Sequence, residues 1–122
     1  MKPVDQTTFG VPGGNCFSAC VASLLELPIE EVPYFMGADD WCAAFAAWLS
    51  PRGFYPVSFN ISTVGAWRPE GLFILGGQSP RGSHAVVARG AVVVHDPHPS
   101  RDGLLKVEDG TVLVPFDPAR RS

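Results

Sequence analysis

The stretch Gly13-Gly14-Asn15-Cys16-Phe17-Ser18-Ala19-Cys20-Val21-Ala22-Ser23-Leu24-Leu25 organises the chain. Glycines run into a cysteine, and the cysteine opens an apolar run that Pro28 stops. Asn15 is a favourable N-cap, so a helix is expected over residues 16–26. Its polar residues, Ser18, Ser23 and Glu26, share one arc at about 100° per residue. The remaining positions are apolar, which predicts a largely buried helix. A helix start carries unpaired N–H groups and partial positive charge. A thiolate placed there is stabilised and nucleophilic near neutral pH. Cys16 is therefore the candidate nucleophile, and the rest of the chain has to supply its base.

Composition sets the frame for that search. The 122 residues contain 46% hydrophobic and 17% charged side chains, which describes a globular chain of one domain with a modest core. The formal net charge is −3 and no Lys/Arg run occurs, so nucleic acid is not expected as a partner. Residues 1–6 lack the apolar centre of a signal peptide, and the apolar run from Ala85 to Val94 is broken by Arg89-Gly90 and too short to span a bilayer. Three cysteines without secreted-framework spacing fit a reducing cytoplasm.

Residues 1–15 read as an extended lead-in, because Pro3, Gly10, Pro12, Gly13 and Gly14 exclude regular helix. Residues 27–33 read as a short turn of helix between prolines, with Glu30 and Glu31 in solvent. A second helix is expected over 40–49, capped by Asp39, with Trp41, Phe45, Trp48 and Leu49 as its apolar stripe. Beyond residue 53 the pattern changes to short strands over 54–59, 72–75, 84–88, 91–96 and 111–115. Arg89-Gly90 reads as a tight hairpin, Gly65–Gly71 as an exposed loop with Trp67 and Arg68, and residues 118–122 as a frayed end. Helices followed by an antiparallel meander make an α+β plan.

A thiol nucleophile needs a base within reach and a third group to orient the base. His84 opens a predicted strand after the glycine-rich segment Gly76–Ser83, read as a flexible loop, and the next strand ends in His95-Asp96-Pro97. Counting outward from Arg89-Gly90 pairs Ala88 near Ala91 and His84 near His95, so Asp96 falls within a residue of His84. A one-residue slip decides whether His95 or Asp96 shares its face.

This ordered set resembles the papain-like cysteine peptidases. The features are Cys16 at a buried helix start, His84-Ala85-Val86-Val87, and Val94-His95-Asp96-Pro97. The nearest branch is the bacteriocin leader-processing (double-glycine) peptidases and their peptidase-like relatives. The resemblance covers residues 6–100 and implies a papain-like α+β fold, with an N-terminal buried helix packed on an antiparallel β-sheet. It implies Cys16 as nucleophile, His84 as base and acid, and Asp96 as orienter, with no cofactor and no metal. It also implies a glutamine that donates to the oxyanion. Gln6 is the only upstream candidate, ten residues before Cys16, a longer gap than the family's usual one that Gly10, Gly13 and Gly14 would have to absorb in a bulged loop. Trp41, Trp67 and Arg81 are candidate substrate-binding residues.

The expected function is hydrolysis of an amide or isopeptide bond in a peptide, protein tail or small amide. Deamidation or acyl transfer by the same fold, and an inactive binding module, are the alternatives. A zinc site from Cys16, Cys20, His95 and His98 is the competing chemistry, although its spacing is loose and Cys20 falls on the apolar side of the helix. Cys20 and Cys42 read as core residues, His95 and His98 as surface residues around a turn, and Arg81 or Arg101 as contacts for an anionic substrate group. The segment Gly76–Ser83 precedes a strand and lacks a Gly-Lys-Ser/Thr ending, so it is not a nucleotide loop.

Overall fold

The computed structural model describes residues 1–10 and 13–117. Pro12 and the frayed end predicted over 118–122 lie outside the described residues. The first helix, α1, spans Cys16–Leu25 and closes on Glu26, whose φ of 58° turns the chain into the left-handed region before Pro28. Single-turn 3₁₀ segments cover Ile29–Glu31 and Phe35–Gly37. The second helix, α2, spans Trp41–Leu49, and a further 3₁₀ turn covers Ser50–Arg52. Then come β1 (Phe54–Asn60), a one-turn helix α3 (Ile61–Val64), β2 (Leu72–Ser79), β3 (Gly82–Arg89), β4 (Val92–His95) and β5 (Lys106–Pro115).

Two caps differ from expectation. Asp40, not Asp39, starts α2, its Oδ1 accepting the Ala43 N–H at 3.1 Å. Asn15 makes no side-chain cap on α1. Its Oδ1 instead accepts the Thr7 and Thr8 N–H groups at 2.9 and 3.0 Å, and its Nδ2 donates to Thr7 Oγ1 at 2.9 Å. The residue is spent on fastening the lead-in.

The strands form one antiparallel sheet in the order β1-β5-β2-β3-β4, so the expected meander is corrected: β5 returns to lie between β1 and β2. The stretch 76–83 is also not a flexible loop. Gly76 to Ser79 continue β2, and Pro80-Arg81 make the turn into β3. Glycine is disfavoured in strands unless backbones approach closely. That is the case here, since a Cβ on Gly77 would stand 1.9 Å from the Lys106 carbonyl oxygen, at the register shift between β2 and β5.

Alternation along β2 and β3 separates two apolar layers. Leu72, Ile74, Ala85 and Val87 join Phe54 and Leu113 beneath α1 and α2, whose Phe17, Cys20, Val21, Leu24, Phe45 and Leu49 complete the main core. Phe73, Leu75, Val86 and Ala88 face the other way, covered by Phe59, Ile61, Leu104 and Val112. Each fully buried side chain of this size contributes about 1.5–3 kcal/mol. As expected, α1 is almost wholly buried, and its polar residues are satisfied within the protein. Ser18 Oγ donates to the Pro33 carbonyl at 2.7 Å, and Ser23 Oγ donates to the Ala19 carbonyl at 2.8 Å while accepting the Val4 N–H at 2.9 Å. Among the described residues no helix is long and apolar enough to cross a membrane.

Candidate active site

Packing α1 across β2 and β3 sets its first residue, Cys16, beside the start of β3. His84 is the third residue of β3, and Asp96 is the first after β4. Both side chains are buried, and His84 Nε2 lies 2.7 Å from Asp96 Oδ1. Cys16 lines the same cleft and is near enough to His84 to favour the charged form of its imidazole. Since Nε2 is engaged by Asp96, Nδ1 is the nitrogen left for the thiol. Three residues distant in sequence thus form a relay in the order Cys16, His84, Asp96.

Burial opposes a charge on the His84 imidazole, but the nearby Cys16 thiol and the hydrogen-bonded Asp96, with the negative charge on each, outweigh it and raise its pKa. Burial likewise works against the Asp96 carboxylate. It is overcome by hydrogen bonds from His84, the His98 N–H (2.9 Å to Oδ1) and the Gly103 N–H (2.7 Å to Oδ2), which hold the carboxyl below the usual range. Asp96 therefore stays ionised and oriented.

The route by which Asp96 arrives differs from the count made on the sequence. His95 pairs with Val87, not His84, because the register shifts between Val87 and Ala88. The strand is too short to carry Asp96 opposite His84, and the carboxylate reaches the ring from the turn that follows. His95 points elsewhere: its Nε2 lies 2.9 Å from the Val4 carbonyl and 3.3 Å from Asp5 Oδ1.

Gln6 comes to the same place. The intervening loop folds back on itself, with Gly10 and Gly13 at φ of 90° and 107°, the Gly14 N–H on the Gly10 carbonyl at 3.0 Å and the Asn15 N–H on the Thr8 carbonyl at 3.2 Å. The ten-residue gap is absorbed there. Gln6 is buried, its N–H on the Pro97 carbonyl at 3.1 Å and its Nε2 donating to the Thr8 carbonyl at 2.9 Å.

Cys16, His84 and Gln6 line one cleft of about 810 Å³. Phe17, Trp41, Tyr34 and Met36 form its apolar wall, with Phe17 edge-on to Trp41 at 5.5 Å. Trp41 is thus in the cleft, as is Arg81, which pairs with Asp102 at 3.0 Å. Trp67 is not. It is 58% exposed and packs its ring on Phe59 at 5.7 Å. Arg101 holds Asp5 through two hydrogen bonds of 2.6 and 3.0 Å and also bonds the Asp96 carbonyl. It joins the lead-in to the Asp96 turn and does not line the cleft.

His98 is a cleft residue that the sequence reading assigned to the surface. Its Nδ1 accepts the Ser100 N–H at 3.0 Å, so the neutral ring carries its proton on Nε2. It stands edge-on to His84, with ring centroids 6.2 Å apart. Partial burial, followed by the charges of Arg81 and His84, lowers its pKa. The signal available for it was its place two residues beyond Asp96. Tyr34, Met36 and Asp109 also line the cleft and carried no sequence signal at all.

The four residues weighed as zinc ligands are dispersed: Cys20 is fully buried in the core, and His95 is turned to the lead-in. Among the described residues no group of three or more His, Cys, Asp or Glu side chains is placed to hold a metal ion. No known protein family, curated protein or solved structure matches this chain.

Proposed function

We propose that the chain is a papain-like thiol hydrolase that cleaves an amide or isopeptide bond through Cys16, His84 and Asp96. The observation that carries the reading is the Cys16–His84–Asp96 relay, with its buried 2.7 Å histidine–carboxylate bond, opening on a cleft. The thiolate of Cys16 attacks the carbonyl carbon, forming a C–S bond and a tetrahedral oxyanion. N–H groups at the start of α1 and the Gln6 side-chain amide are the candidate donors to that oxyanion. His84, protonated on Nδ1, gives its proton to the leaving nitrogen as the C–N bond breaks. The same nitrogen then takes a proton from water, whose oxygen attacks the thioester and expels Cys16. A deamidase or acyltransferase would use the same first half-reaction, with ammonia as leaving group or an amine in place of water.

The test compares two cysteines in one molecule. Iodoacetamide at pH 6, with the alkylated site assigned by mass spectrometry, should modify half-buried Cys16 faster than exposed Cys42. The advantage should vanish in His84→Ala. Equal rates at the two cysteines, or a Cys16 rate indifferent to His84, would overturn the reading.

A further inference from the structure

The cleft has an apolar wall, but the sheet beneath it also contributes polar groups: Ser58, Asn60, Asp109 and Thr111 line it beside Gly76 and Gly77. Gly76 stands in register with Asp109 of β5 on one side and Ala85 of β3 on the other. A row across those three strands spans about 10 Å, and Ala85 is the residue next to His84. Asp109 is therefore within the reach of one long side chain from the reacting centre.

Three observations set Asp109 apart. Its carboxylate lies over the bare floor, since a Cβ on Gly76 would be 2.2 Å from Asp109 Oδ1. It has no hydrogen-bond or ion-pair partner among the described residues, whereas neighbouring Glu108 accepts from Gln78 Nε2 at 2.9 Å. Its pKa is raised, by desolvation and then by the Glu108 charge. Asp109 is exposed to the cleft, and a carboxylate beside a like charge and without a cation gains from any cation that enters. Arg81, in the β2–β3 turn, and His98, in the turn after β4, also line the cleft, but Arg81 is paired with Asp102 and the charged form of His98 is disfavoured, so neither serves as a counter-ion to Asp109.

We infer that the cleft selects a substrate with a lysine or arginine side chain on the acyl side of the scissile bond, bound by Asp109 over Gly76. The inference rests on the thiol-hydrolase reading. Asp96 holds His84 from the β4 side, and His84 protonates the leaving group, so the leaving group lies on the His84 side of Cys16 and the acyl part extends over β2 and β5, the strands that carry Gly76 and Asp109. Ser58, Asn60 and Thr111 supply neutral hydrogen-bonding groups around the cation, and the Trp41 wall covers its aliphatic stem.

The experiment uses the whole protein and matched peptidyl vinyl sulfones, which capture a nucleophilic cysteine from the acyl side. One set carries lysine, at the first or the second residue from the warhead. The other carries norleucine, of similar length without the charge. Adducts are assigned to Cys16 by mass spectrometry and their rates compared. At one of the two positions lysine should label about tenfold faster than norleucine. Asp109→Asn, whose fold is checked by its circular dichroism, should bring that ratio close to one, and Asp109→Glu, which keeps the charge, should retain a lysine preference. Cys16 labelling with no lysine preference, or a preference that survives Asp109→Asn, would overturn this inference and leave the hydrolase reading standing. Failure of every probe to label Cys16 would overturn both.

Discussion

His84 sits between two groups that each favour its protonated form, and the consequences belong to single residues. Burial alone would lower its pKa from the ordinary 6.5, and the proximity and charges of Cys16 and Asp96 reverse the direction. Removing either partner should therefore move the His84 titration downward. NMR titration of the imidazole Cε1–H signals in Cys16→Ala and Asp96→Asn reads this directly, and an unmoved midpoint in both would show that neither group acts on the ring. Stability carries the same signs. A raised histidine pKa adds stability that is complete below pH 6.5 and fades as pH rises through the folded value. A depressed carboxyl pKa adds stability complete above pH 3.8, fading as pH falls through the folded value. The gap in urea midpoint between wild type and Asp96→Asn should be widest between those two values and narrow on either side. A gap that does not vary with pH would mean that the pair is only a packing contact.

At the level of elements, the two long helices were legible because each announces itself locally, α1 by its glycine approach and apolar run, α2 by its aromatic stripe. The sheet was legible only in pieces. Val92, Val93 and Val94 are all apolar and all exposed, so no alternation marks their register, and the slip that pairs His95 with Val87 leaves no trace in the sequence. The end of β2 was hidden because Gly76 and Gly77 read as a loop, and the start of β5 because Lys106, Glu108 and Asp109 are charged. Both are strand because two backbones close on each other at Gly77, a contact between residues about thirty positions apart. Gly77→Ala tests this. With a Cβ forced against the Lys106 carbonyl, the shift between β2 and β5 must open, at about 1–3 kcal/mol. Gly71→Ala, with open space around its Cβ and no positive φ, should change stability by less than about 0.5 kcal/mol. Equal urea midpoints for the two variants would refute the close approach.

On the scale of the whole molecule, the site is assembled from the two ends of the fold. The lead-in brings Gln6, the turn after β4 brings Asp96, and 90 residues separate them. Sequence order named the members, but nothing local in the chain indicates what ties those segments together. The Gln6 N–H on the Pro97 carbonyl is one tie, His95 Nε2 beside the Val4 carbonyl is a second, and Arg101 is a third, a fork whose planar guanidinium serves both Asp5 oxygens and the Asp96 carbonyl. Arg101 holds a φ of 56°, a conformation that L residues seldom adopt, and the three acceptors account for its being kept there. If the fork matters and not merely the charge, Arg101→Lys should behave like Arg101→Ala, because an ammonium cannot match two carboxylate oxygens and a carbonyl in one plane. Hydrogen exchange provides the readout. The Gln6 amide, bonded to Pro97, and the Gly103 amide, bonded to Asp96 Oδ2, should exchange faster in both variants, while amides of β2 and β3 keep their rates. Should lysine restore protection at Gln6 and Gly103, charge alone would be fastening the lead-in, and the two halves of the site would be held by electrostatics instead of by the geometry of one side chain.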